Sequence, residues 1–155
     1  MVLGREAFEI EIQGQTDMFR ETPFFGAMTN PYRNELTPEV FAGDPVLLDK
    51  AATIADGLAF KSMNGSKPQV SLDSLSTSNM FPVPTHFFDL LKQRKSPSID
   101  MESSACYQVS WLLGVPCLVI RSISNGVDDE GSDDTVQEGL DVASYNVSLL
   151  MCELI

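Results

Sequence analysis

The stretch from Ile99 to Asn125, IDMESSACYQVSWLLGVPCLVIRSISN, constrains the fold more than any other part of the chain. Its middle, Glu102 to Leu113, fits a helix stopped by Gly114, and Val115 to Ile123 is a short apolar run rich in β-branched residues, suited to a buried parallel strand. This is the helix-to-strand half of an α/β unit. Polar residues gather at its two ends. Asp100 and Glu102 sit where a strand gives way to the helix, and Arg121, Ser122, Ser124 and Asn125 sit where the next strand runs out. Open α/β sheets bind ligands at the carboxyl ends of their strands, so both ends are candidate site positions.

The rest of the chain fits a single domain around that unit. With 155 residues it can bury one core and not two. Phe8 to Ile12 alternates as FEIEI, a strand with Phe8, Ile10 and Ile12 on one face. Residues 13–39 contain Gly14, Pro23, Gly26, Pro31 and Pro38 and read as a long loop or broken segment. Asp44-Pro45 then opens a helix, with Asp as cap and Pro in the first turn, whose apolar face comprises Val46, Leu47, Leu48, Ala51, Ile54, Ala55 and Leu58. Gln69 to Leu75 alternates as a strand, His86 to Lys95 is a helix, and Pro97 starts the strand leading into Asp100. After an acidic loop, Gly126 to Asp134, a closing helix from Thr135 to Glu153 presents Val136, Leu140, Ala143, Val147, Leu150 and Leu154 to the sheet.

Ten Lys plus Arg against 22 Asp plus Glu give a net charge of −12. Bulk electrostatics therefore argue against nucleic acid or an anionic membrane as partner. No run reaches the length of a membrane-spanning helix and the first residues lack the apolar core of a signal peptide, so the expectation is a soluble, cytoplasmic protein. Cys106, Cys117 and Cys152 lie in apolar settings without metal-ligand spacing and read as buried free thiols. His86, the sole histidine, reads as a helix-start residue, and Tyr107 and Trp111 as core or subunit contacts. Asn146-Val147-Ser148 matches a glycosylation acceptor triplet but falls within the closing helix. The sequence offers no metal site, no Ser/His/Asp set, and no cofactor motif.

Asp-Met-Glu at 100–102, Gly-Val-Pro at 114–116 and Ile-Arg-Ser-Ile-Ser at 120–124, at their mutual spacing, resemble the signature of the nucleoside phosphorylase and nucleosidase superfamily, in its methylthioadenosine/S-adenosylhomocysteine nucleosidase branch. FAGDPVLLDKAATIADGL, Phe41 to Leu58, resembles the segment that precedes that family's penultimate helix, and Ser76-Thr77-Ser78-Asn79-Met80-Phe81 resembles a third. The resemblance implies an α/β fold of three layers, a sheet flanked by helices. Members carry a further N-terminal βαβ region that has no counterpart before Met1, so the chain is expected to represent the C-terminal part of the family fold. It also implies a homo-oligomer, typically a dimer, acting on a small-molecule nucleoside with water or phosphate as the attacking group. The absence of a glycine-rich phosphate loop favours hydrolysis.

Cleaving an N-glycosidic bond passes through a ribosyl cation-like state, which demands a grip on the ribose, a donor for the departing base and a nucleophile. By resemblance, Phe81 stacks on the base, Met101 contacts the sugar face, and Glu102 accepts hydrogen bonds from the ribose hydroxyls. Glu102 also has a plain structural reading, as a carboxylate favoured by the positive end of a helix. Arg121 could hold a carboxylate such as Glu102 or bind phosphate. Ser124 is expected to orient residue 125, where nucleosidases place an Asp that protonates the purine N7. This chain has Asn125, which can donate a hydrogen bond but cannot surrender a proton. Asp128 or Asp129 are stand-in acids if their loop folds back, and otherwise solvated carboxylates. The alternative reading is a non-catalytic storage- or binding-type relative, secreted or vacuolar in location.

Overall fold

The computed structural model describes residues 1–10, 38, 40–63, 65, 68–80, 83–126 and 133–155, without the side chains of 133–136. In chain order these form β1 (Val2–Glu9), β2 (Phe41–Ala42), α1 (Pro45–Gly57), β3 (Ser71–Thr77), a 3-10 turn (Thr85–Phe87), α2 (Phe88–Arg94), β4 (Ile99–Asp100), α3 (Ser103–Leu113), β5 (Ile120–Arg121) and α4 (Asp133–Leu154). β1 is the centre of a five-stranded mixed sheet. One of its edges pairs parallel with β3, which in turn pairs parallel with β4. The other edge is shared by two short antiparallel partners, β5 at Val2–Leu3 and β2 at Glu6–Ala7.

The parallel register decides where the site lies. Glu9 pairs with Thr77, and Thr77 with Asp100, so three strands end side by side. That row of carboxyl ends is the position expected for ligand binding.

Helices cover both faces of the sheet. Val2, Ala7 and Leu75 pack with Tyr107 of α3 on one side. Leu3 packs with Ala51 and Ala55 of α1 and Leu150 of α4, and Phe8 packs with Phe87 and Leu91, on the other. At the centre, the Tyr107 hydroxyl donates to Gly4 O at 2.5 Å and accepts from Val119 N at 3.0 Å. Burial pushes its pKa up to about 12, so it remains a neutral donor across the working pH range. Gly4 permits this approach, because a Cβ there would lie 2.7 Å from the hydroxyl and 2.5 Å from Leu75 Cδ1.

Helix expectations hold closely and strand expectations less so. The Asp44 cap accepts from Leu47 N at 2.9 Å, and Gly114 ends α3 with φ 68°. The strand expected at Phe8 to Ile12 instead spans Val2–Glu9, while Glu11 and Ile12 lie outside the described residues, as do nearly all of 13–39. Its first half escapes an alternation test because Val2, Leu3 and Gly4 are buried in succession, with both faces covered.

The parallel strand expected over Val115 to Ile123 is also corrected. Only Ile120–Arg121 pair, and they run antiparallel to β1. The apolar run has its reason: Leu118 and Ile120 join one core cluster, Cys117 and Val119 the other. Two-sided contact makes a run apolar whatever its direction, so periodicity could not distinguish the two. Val115 and Ile123 at its ends are exposed.

Two further corrections concern helix faces. Cys106 and Cys152 are free but exposed, and Cys117 is half-buried. The two exposed thiols sit on outward faces of α3 and α4, where apolar sequence neighbours do not imply burial. Along α4 the buried positions are Gly139, Ala143, Asn146 and Leu150, whereas Leu140 is exposed. Asn146 is held on both sides, accepting from Lys61 N at 2.8 Å and donating to Lys61 O at 3.0 Å, so its acceptor triplet is closed to glycosylation.

Candidate functional site

The row of strand ends continues directly into the head of α3, and Asp100 joins the two. The first amides of a helix have no intrahelical partner. Here Asp100 Oδ1 accepts from Glu102 N at 3.0 Å and Ser103 N at 2.8 Å, while Thr77 Oγ1 accepts from Ser104 N at 2.8 Å and itself donates to Asp100 Oδ1 at 3.0 Å. Asp100 thus accepts from the amides of the N-cap residue Glu102 and of Ser103, and ties the head of α3 to β3. Its second oxygen, Oδ2, accepts from the Ser103 hydroxyl and meets Arg121 Nε at 3.1 Å.

Arg121 extends this arrangement outward. Its Nε donates to Ser103 Oγ at 3.0 Å, and its Nη2 donates to Glu102 Oε2 at 2.9 Å. The guanidinium therefore holds two carboxylates, of which Asp100 is 9% exposed and Glu102 63%. That difference separates their roles. Asp100 spends both oxygens on the protein, whereas Glu102 is held at one oxygen and open to solvent. Beside it, Met101 is half-exposed at 52%.

Beyond β5, the Ser124 hydroxyl donates to Asn125 Oδ1 at 2.7 Å. With Oδ1 so engaged, Nδ2 is the amide's remaining functional group, and its contact with Gly126 O is long, at 3.4 Å. At the ends of β1 and β3, Asn79 Nδ2 donates to Glu9 Oε1 at 2.7 Å.

The site residues expected from the sequence therefore fall into three groups. Glu102 and Arg121 are brought into direct contact, with Met101 adjacent in the chain. Ser124 and Asn125 form a second pair. Phe81, Asp128 and Asp129 lie outside the described residues. The sequence marks Asp100 only as a polar strand end and gives Thr77 and Ser103 no site role. An Asp at a strand-to-helix junction is the available signal, since its short side chain can accept from backbone amides two and three residues on. Among the described residues no group of three His, Cys, Asp or Glu side chains could hold a metal. A hollow of about 210 Å³ beside the site segment is lined by Met63, Ser122, Ile123, Gly139 and Asn146 among others, and does not include Met101, Glu102 or Asn125.

Residues 2–155 match the phosphorylase superfamily. The chain belongs to that superfamily. The resemblance carried by Asp-Met-Glu, Gly-Val-Pro and Ile-Arg-Ser-Ile-Ser is thereby borne out.

Solved structures of this superfamily agree in fold. A methylthioadenosine/S-adenosylhomocysteine nucleosidase from Neisseria meningitidis, in complex with methylthio-immucillin-A, superimposes with a TM-score of 0.68 at 21% identity, covering 99% of this chain and 59% of its own. A putative nucleosidase of the same type from Borrelia burgdorferi, bound to adenine, gives 0.66 at 24% identity, with coverage of 99% and 59%. A futalosine hydrolase mutant from Helicobacter pylori gives 0.64 at 14%, with coverage of 98% and 59%. The chain spans about three-fifths of the length of these structures. Among curated proteins nothing matches. Among the described residues no helix is long and apolar enough to cross a membrane.

Proposed function

We propose that this phosphorylase-superfamily chain takes part in cleaving the N-glycosidic bond of a purine nucleoside, by hydrolysis. One observation carries the reading: Glu102 is an anchored yet open carboxylate at the carboxyl ends of the strands, held by Arg121 at 2.9 Å and 63% exposed. Such a group can accept hydrogen bonds from both ribose hydroxyls without first losing conformational freedom, which orients the sugar. Its charge favours the cation that develops as the bond from C1′ to the base breaks. Met101 gives the sugar an apolar contact, and stacking on the base is assigned to Phe81 by the family resemblance alone. Ser124 and Asn125 face the base, the hydroxyl fixing Oδ1 so that Nδ2 donates to N7. The electron pair of the breaking bond passes to the base, and water adds to C1′ as it loses a proton to solvent.

Hydrolysis rather than phosphorolysis is supported by the names of the similar structures, which are nucleosidases and a hydrolase. The comparisons lend the storage-type alternative no support. Incubation with methylthioadenosine, adenosine or inosine is expected to release free base slowly, without phosphate dependence, and Glu102→Ala is expected to remove that release. Base release that survives Glu102→Ala would contradict the assignment, and phosphate dependence would make the chain a phosphorylase.

A homodimer belongs to the same reading. Val109 and Leu113 of α3 are 53% and 67% exposed, an apolar face suited to burial against a second copy. Sedimentation velocity should give twice the mass of the 17.0 kDa chain, and a monomer at all concentrations counts against it.

A further inference from the structure

Glycine is a poor helix former, yet Gly139 lies within the 22-residue helix α4 and on its buried side. The contact it makes explains its presence. A Cβ at Gly139 would collide with the carbonyl oxygen of Ser124 and lie 3.1 Å from the carbonyl carbon. Both are backbone atoms, so no side-chain rotation relieves the clash. The helix cannot easily back away either. Two turns along, Asn146 grips the Lys61 backbone with its two hydrogen bonds, and Leu150 is fully buried against Leu3, Ala51 and Ala55. An added methyl group at position 139 must therefore be absorbed by the Ser124–Asn125 segment.

We infer that Gly139 is a positioning residue for Asn125: the missing side chain lets α4 seat against the Ser124 carbonyl, which fixes the Ser124–Asn125 peptide and the direction of the Asn125 amide. The Ser124 hydroxyl completes the alignment by donating to Asn125 Oδ1. A helix far along the chain thus sets the geometry at the end of β5. Its effect on ligand rests on the reading of Asn125 as the base-facing residue, whereas its effect on Asn125 itself does not.

Both effects are measurable on the full chain. In ¹H–¹⁵N spectra of the free protein, Gly139→Ala is expected to shift the Asn125 side-chain NH₂ resonances while leaving those of Asn146 in place. Adenine binding, followed by calorimetry, is expected to weaken about tenfold, the loss of one well-aligned hydrogen bond. Unchanged Asn125 resonances overturn the inference. If the resonances shift but wild-type protein does not bind adenine, the positioning role stands and the nucleoside reading fails. Asn146→Ala removes the anchor of α4 without adding volume and serves if Gly139→Ala does not fold. It is expected to shift the Asn125 NH₂ resonances too, and if they stay unchanged there the inference is likewise overturned.

Discussion

Asp100→Ala is expected to cost about 3 kcal/mol of stability, the largest loss of any single change at the site. The substitution removes the acceptor for Glu102 N and Ser103 N, the partner of the Thr77 and Ser103 hydroxyls, and the inner partner of Arg121. Arg121 is about one-third exposed, which tempers the cost because water can solvate part of the orphaned guanidinium. For a chain of this size the loss corresponds to a fall in Tm of roughly 6 to 12 °C. Asp100→Asn keeps the Oδ1 contacts while placing an amide NH₂ opposite Arg121, so it should fall between the two. Glu102→Ala, by contrast, removes an exposed carboxylate and should cost no more stability than surface pairs generally contribute, about 1 kcal/mol or less. Circular dichroism melts of the three variants check this order. Equal effects at 100 and 102 would mean that Asp100 is not the hub its contacts describe.

That pair of neighbours shows what was legible in the sequence and what was not. The cap at Asp44, the stop at Gly114 and the Ala51–Ala55 face of α1 depend on residues within a few positions of one another and were readable, whereas Val46, expected on that face, is exposed. The hub at Asp100 depends on Thr77 before it and Arg121 after it, partners set by sheet register rather than by local pattern. Local signals identified Glu102 and Arg121 as candidates; only the fold shows that they hold each other and that Asp100 stands behind both. The same limit explains Leu140 and Gly139. A periodicity count favours the leucine for the buried face, but the Asn146 grip on Lys61 and the close approach to Ser124 turn the glycine inward. Strand direction in β5 was illegible for a related reason, since contact with core on both faces leaves no alternation to read.

If the chain cleaves nucleosides as proposed, Asn125→Asp is expected to raise base release by about a hundred- to ten-thousand-fold, the usual value of a positioned general acid. The case rests on what is already arranged around the amide. Ser124 donates to Oδ1 at 2.7 Å, and a carboxyl group of the same size can keep that bond while carrying a proton on the other oxygen. Under the proposed reading, Nδ2 of the native chain steadies N7 only by a hydrogen bond, and the departing base takes its proton from water. The variant would then supply that proton directly as the bond to C1′ breaks. Because the acid must be protonated to act, its release rate should fall as pH rises through the pKa of the new carboxyl group, whereas the native chain should lack that limb. Two controls locate the effect. Adding Glu102→Ala to Asn125→Asp should abolish the gain, since the new acid is useless on an unoriented sugar. Asn125→Ala should weaken binding without creating the pH-dependent limb. If Asn125→Asp releases no more base than the native chain while adenine still binds, then the Ser124–Asn125 pair does not face N7, and the proton donor must be sought elsewhere on the strand ends.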